Sequence, residues 1–170
     1  MALNIENMKA ALIGGGARAN YFEVELPVLA QGLNGNDMFL VKGSVLPSSV
    51  ISPIMIPFRG RQLQIAGDRT FEPWTVTVVN DVDMKIRKSI EDWMDRLNAV
   101  GTNISELQEP SLYMSDGTVY QLDRAGNKQT GYKFVGVWPS NISAIDLSYD
   151  SENTIEEFTV EFQVTSFSRL

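Results

Sequence analysis

The chain has no cysteine and no histidine among its 170 residues. Without cysteine there are no disulfides, no thiolate zinc sites and no cysteine nucleophile. Without histidine there is no Ser-His-Asp triad and no H-E-x-x-H helix, and most zinc sites are excluded. Carboxylate-pair and lysine chemistries survive, but the commonest general base is gone. Positive charge is also short: 14 Lys and Arg face 21 Asp and Glu, for a net −7. The cations are scattered, the densest group being Lys85, Arg87 and Lys88. A tight grip on a phosphate backbone needs them clustered. No apolar run approaches the roughly 20 residues that span a bilayer. The stretch "MALNIENMKAAL" carries Glu6 and no basic start, so neither a membrane anchor nor a signal peptide is expected. These absences together predict no catalytic residues, no metal and no cofactor.

What is present reads as one mainly β domain over residues 1–170. Residues 3–13 form a weak helical pattern that ends at the glycines 14–16, an N-terminal helix or arm over 1–19. In "YFEVEL", Phe22, Val24 and Leu26 alternate with Tyr21, Glu23 and Glu25. The segment 31–37 reads as a turn, with "MFLVKGSVL" after it as the return strand of a hairpin. "RQLQIA" and "WTVTVVND" are strands, the second with Trp74, Val76 and Val78 on one side. One helix stands out over 83–100, where Ile86, Ile90, Trp93, Met94 and Leu97 make one apolar stripe. Asp81 or Asp83 is placed to cap it, and Gly101 to stop it. A hairpin turning at "RAGNK" follows. The last strand sets Phe158, Val160, Phe162 and Val164 against Glu157, Thr159, Glu161, Gln163 and Thr165. Seven or eight strands with one good helix predict an antiparallel β-barrel or sandwich carrying a flanking α-helix.

Two stretches resist this scheme. Residues 47–60, "PSSVISPIMIPFRG", hold three prolines, which bars a central strand. Yet Val50, Ile51, Ile54, Met55, Ile56 and Phe58 are too apolar for a solvated loop. The stretch, with Arg59 at its end, therefore reads as an apolar loop that is neither a central strand nor an ordinary solvated connection. The cluster Gly67-Asp68-Arg69-Thr70 stands ahead of the Trp74 strand. A catalytic acid beside an anion clamp is one reading, and Asp68→Asn in an activity screen would test it. A turn fixed by Gly67 with a local Asp–Arg ion pair is the plainer reading. The "GGG" at 14–16 follows a helical pattern rather than a strand, so it is a joint and not a phosphate loop. "DVDMKIRKSIED" has Ile86 where a calcium loop needs glycine. The acidic rows Glu23/Glu25 and Glu157/Glu161 are solvated faces of a sheet unless that sheet faces something negative. A small-ligand barrel resembling lipocalins is a further alternative, distinguished by remaining monomeric.

"AGDRTF..WTVTV.ND" (66–81) and "G.WP.N......D.DS.N.I..F.V" (136–160), with weaker echoes in "F.VE" at 22–25 and "VLP" at 45–47, resemble the tail tube proteins of T4-like contractile-tailed bacteriophages. The "GGG" segment departs from that pattern. The resemblance implies a β-barrel-like sandwich with a flanking helix, in hexameric rings stacked into a hollow tube inside a contractile sheath. It implies passage of the genome down the lumen. The implied partners are further copies of the chain, the sheath protein, baseplate or tube-initiator proteins, and tape-measure protein and DNA held without sequence-specific contacts. The implied location is the virion tail, after assembly in the host cytoplasm. A baseplate initiator, or the tube of a phage-like secretion or injection system, shares the fold and is the alternative. On this footing Val50, Ile51, Ile54, Met55, Ile56, Phe58, Arg59, Asp68 and Arg69 are the expected subunit contacts. Glu23, Glu25, Glu157 and Glu161 are the expected lumen face, where like charge keeps DNA from sticking.

Overall fold

The computed structural model describes residues 5–12, 16–27, 33 and 37–170. The chain runs α1 (Ile5–Ala11), β1 (Phe22–Glu25), a 3₁₀ turn (Asp37–Leu40), β2 (Val41–Val45), β3 (Ser49–Phe58), β4 (Arg61–Phe71) and β5 (Trp74–Val79). It continues as α2 (Lys85–Leu97), α3 (Pro110–Tyr113), β6 (Ser115–Leu122), β7 (Lys128–Ile142), β8 (Glu157–Gln163) and β9 (Ser166–Arg169). Six strands pair in the order β1-β6-β7-β8-β5-β2, and β9 joins β7 to complete a seven-stranded sheet. Every pairing is antiparallel. Among the described residues strands β3 and β4 pair only with each other.

The big sheet is long enough to fold over on itself, and a bend in β7 lets it do so. Gly136 takes a φ of 66°, which an L side chain rarely adopts, and a Cβ there would stand 2.4 Å from Thr165 Oγ1. Up to Val137, just past the bend, β7 pairs with β6 and β9, and from Trp138 on with β8. The two halves close on an aromatic core. Trp74 of β5 stacks on Phe134 of β7 at 4.6 Å between ring centroids, with Phe162 of β8 at 5.4 Å. Val76, Val78, Phe158 and Val160 continue this layer, all at most 2% exposed. Helix α2 covers one end through Ile86, Ile90 and Trp93, the i, i+4, i+7 stripe that the sequence predicted. Both core indoles keep a partner for their N–H: Trp74 Nε1 donates to Ser44 Oγ and Trp93 Nε1 to the Tyr113 carbonyl.

The fold is the predicted sandwich with a flanking helix, but the sheet is not closed into a barrel, because among the described residues β1 and β2 end it as free edges. Several expectations need correction. The return strand after residue 37 does not pair with β1: β2 pairs with β5, and β1 with β6. The turn at 31–37 lies almost wholly outside the described residues. The first helix is described over Ile5–Ala11; residues 3, 4 and 13 of the expected 3–13 lie outside the described residues, and of the glycines 14–16 only Gly16 is described. Helix α2 stops at Leu97, with Asn98 already extended, so Gly101 is not its stop. Its start is held as expected by Asp81, whose Oδ1 accepts from the Lys85 amide.

Candidate functional site: an exposed apolar hairpin

Residues 47–60 are not a loop. Residues 49–58 form the ten-residue strand β3, and all ten are exposed. Prolines are tolerated here because β3 has a partner on one side only. Phe58 and Arg61 flank the two-residue turn Arg59-Gly60, whose φ values of 44° and 82° are those of the primed hairpin turns. Hydrogen-bonded and non-bonded pairs alternate back from that turn. Ile56 and Ile54 therefore fall in bonded pairs, and Pro57 and Pro53 in pairs whose missing N–H faces the open edge.

The turn expected at 67–70 is likewise absent, because Gly67, Asp68 and Arg69 lie inside β4. What the glycine does is different. The register jumps from Ile51 opposite Arg69 to Pro53 opposite Ala66, so two residues of β4 oppose Ser52. At this bulge a Cβ on Gly67 would stand 2.5 Å from the Ser52 carbonyl oxygen. The bulge, and not a bend, is what needs glycine. Among the described residues neither Asp68 nor Arg69 takes part in an ion pair, so the local Asp–Arg pair is not formed.

Cross-strand partners share a face, so one face of the hairpin gathers Ile54 with Ile65, Ile56 with Leu63, and Phe58 with Arg61. Their five apolar side chains are 42–66% exposed. The other face holds Met55 with Gln64, Pro57 with Gln62 and Ile51 with Arg69. Val50 follows the parity of Ile54. Leu63 and Ile65 were missed as contact candidates, although "LQI" repeats the alternation of β3. At its root the hairpin is tied by the Glu72 amide to the Ser48 carbonyl and by Phe71 against Phe167 of β9. A free two-stranded ribbon is marginal in water, and this one exposes both faces. Its charge also contrasts with the body. Residues 49–71 carry Arg59, Arg61 and Arg69 against Asp68, a net +2, which leaves −9 on the rest of the chain.

The four acids stand on the sheet faces opposite the core, because each alternates with a buried residue: Val24 between Glu23 and Glu25, and Phe158 and Val160 between Glu157 and Glu161. They are not bare. Lys128 Nζ lies 3.0 Å from Glu23 Oε1 and 3.1 Å from Glu25 Oε1, over the Tyr120 ring. Hydrogen bonding to Glu23, and then to Glu25, holds the Lys128 ammonium above the usual lysine pKa. Lys42 pairs with Glu157. Farther along the sheet Lys133 pairs with Asp116 at 2.8 Å. That hydrogen bond, against a smaller effect of burial, lowers the Asp116 pKa. Glu161 has no ion pair among those of the described residues. No group of three His, Cys, Asp or Glu suited to a metal occurs among the described residues.

Comparison with known proteins follows the same outline. Residues 17–170 match the family model described as phage tail tube protein. The chain is 35% identical over 148 residues to "Tail tube protein gp19" of Enterobacteria phage T4, covering 86% of this chain and 88% of that protein. It is 27% identical over 117 residues to a tail tube protein of Serratia phage KSP90, covering 69% and 66%. Among solved structures, the sheath/tube terminator of an extracellular contractile injection system superposes with a TM-score of 0.67 at 11% identity, covering 91% of this chain and 96% of that one. The chain from the sheath-tube complex of such a system gives 0.63 at 11% identity, covering 95% and 96%. These two likenesses speak for the fold alone.

Proposed function

The chain belongs to the phage tail tube protein family, structural components of a contractile phage tail, and we propose that it polymerises through the β3–β4 hairpin into stacked hexameric rings. The rings form a hollow inner tube that conducts the genome. The observation that carries this reading is the hairpin itself: five large apolar side chains on one face, all exposed, on a ribbon that pairs with no other strand among the described residues. Full burial of such a side chain stabilises by roughly 1.5–3 kcal/mol, so covering what remains exposed on these five contributes on the order of 5 kcal/mol before ordering costs. A contact that joins one patch to a different patch on the next copy closes into rings or extends into filaments.

The proposed partners are further copies of the chain, a surrounding sheath, a baseplate or tube initiator, and tape-measure protein and DNA in the lumen. Residues 1–170 act as one tube domain with an arm over 1–19. The role is structural and not catalytic, set in the virion tail after assembly in the host cytoplasm. One of the two outer faces, bearing either Glu157 and Glu161 or Glu23 and Glu25, lines the lumen in this reading. Lys128 and Lys42 are held there by carboxylates and present no free cation to DNA. Identity to phage tube proteins over most of the chain favours a phage tail over an injection system, whose likeness is one of fold. Negative-stain microscopy of the concentrated protein, alone and with baseplate seeds, tests the proposal. Hollow tubes or six-fold rings are expected, and a strictly monomeric protein under both conditions overturns it.

A further inference from the structure

The open side of the sheet offers a second unfilled feature. Among the described residues strands β1 and β2 are its two free edges, and the 3₁₀ turn 37–40 touches both without pairing to either. Between them runs a groove of about 620 Å³ whose lining includes Phe22, Met38, Phe39 and Leu122, with Glu23, Glu25, Asn20 and Lys42 as its polar members, Lys42 being already paired with Glu157. Phe39 is 86% exposed. Such a groove is an apolar surface flanked by two unpaired strands. It calls for an occupant that is apolar and carries positive charge beside the apolar part.

The tip of the hairpin has that chemistry. Phe58 is 66% exposed, and Arg59 and Arg61 follow it on either side of Gly60. The Arg59 guanidinium lies 5.5 Å from the Phe58 ring, so apolar and cationic parts arrive together. Lys128 sits against Oε1 of Glu23 and Oε1 of Glu25. A guanidinium can therefore approach the second oxygen of either carboxylate. The chain's own tip does not reach its own groove. Ten residues of extended strand carry the tip about 33 Å from the root beside β2, and among the described residues β3 and β4 pair only with each other.

We infer that the groove between β1 and β2 receives the hairpin tip of a second copy of this chain, with Phe58 against Phe22 and Phe39 and the two arginines against Glu23 and Glu25. The inference rests on the tube reading and specifies its contact. Each copy gives one tip and accepts one, so the contact is head-to-tail and propagates. It also predicts that the open sheet is completed only in the assembly.

The lack of native cysteine makes the test clean, since any disulfide is an introduced one. Phe58→Cys and Phe39→Cys are combined in one chain, assembled and mildly oxidised. The expected result is a ladder of disulfide-linked multimers on a non-reducing gel, absent from either single variant. Phe58→Cys with Val100→Cys, on the exposed stretch just after α2, is expected to give no ladder. If Phe58 or Phe39 proves indispensable for assembly, the lip pair Arg61→Cys with Asn20→Cys carries the same test. Tubes that form without cross-linking at 58–39 or 61–20, or that cross-link 58 to 100 instead, overturn the groove assignment and leave the tube reading standing. An unsubstituted protein that never assembles overturns both.

Discussion

Ile56→Asp separates the fold from the assembly. In the isolated subunit Ile56 is 43% exposed, opposite Leu63 on a ribbon away from the core. Replacing it should change subunit stability by no more than about 0.5 kcal/mol, a shift of at most about 2 °C in Tm for a chain of this size. In a packed contact the same change removes roughly 1 kcal/mol of remaining apolar burial. It also leaves a carboxylate without a partner, at a cost of several kcal/mol. A combined loss of about 3 kcal/mol per contact raises the concentration needed for assembly about 100-fold. Tube length by electron microscopy and the pelletable fraction against concentration measure that term, and a thermal melt of the free subunit measures the other. The expected outcome is an unchanged melt with no tubes at concentrations where the natural chain assembles. Normal tubes would refute burial of this face between subunits. A melt lowered by 5 °C or more, on the order of 2 kcal/mol, would show that the hairpin face serves the fold.

Gly117→Ala places a Cβ 2.6 Å from the Trp74 ring. Trp74 is fully buried and stacked on Phe134, so the substitution should cost about 1–3 kcal/mol and lower the subunit Tm, while Gly101→Ala, in open space, should not. Asp123 accepts from the Ala125 and Asn127 amides and from the Asn127 and Gln129 side chains. Its pKa is lowered to about 2, first by the Asn127 side-chain hydrogen bond. A depressed carboxylate contributes stability above its unfolded pKa near 3.8, and that contribution is lost as pH falls from about 4 towards 2. Asp123→Asn should therefore flatten the pH dependence of the melt in that window and leave it unchanged near neutrality. Glu157→Lys with Glu161→Lys should leave tubes intact but slow genome release in reconstituted particles. Release at the normal rate would mean that those acids do not face the DNA.

The parts of the molecule that follow a local rule were legible in the sequence. The α2 stripe obeys the helical period, and the alternation of Trp74, Val76 and Val78 marks a strand with one buried face. The motif residues that carried the family resemblance have structural reasons. Gly136 makes the bend in β7. The Asn80 amide donates to the Glu156 carbonyl, and its side chain to Glu156 Oε2. Asp81 caps α2, and Asn153 takes a left-handed φ of 59°. The hairpin was illegible for a physical reason. Alternation signals a strand when one face is buried, and β3 buries neither face within its own subunit. Its prolines count against a strand only until one knows that it is an edge. Gly67 looked like a turn because a bulge is defined by the register of a partner strand, which a single segment does not carry. The lysines that neutralise the acidic rows were hidden by distance, since Lys128 lies 103 residues from Glu25 and Lys42 lies 115 from Glu157.

The central claim is that the β3–β4 hairpin is exposed in the subunit and buried in the tube. Amide hydrogen exchange on residues 49–71, in the free subunit and in assembled tubes, tests it most directly. A two-stranded ribbon with no other partner opens at little cost, so these amides should exchange quickly in the subunit. They should slow by about 100-fold or more in the tube, as expected for roughly 3 kcal/mol of added protection, while β5 and β8 stay protected in both. Tubes in which the hairpin amides exchange as fast as in the free subunit would contradict the account.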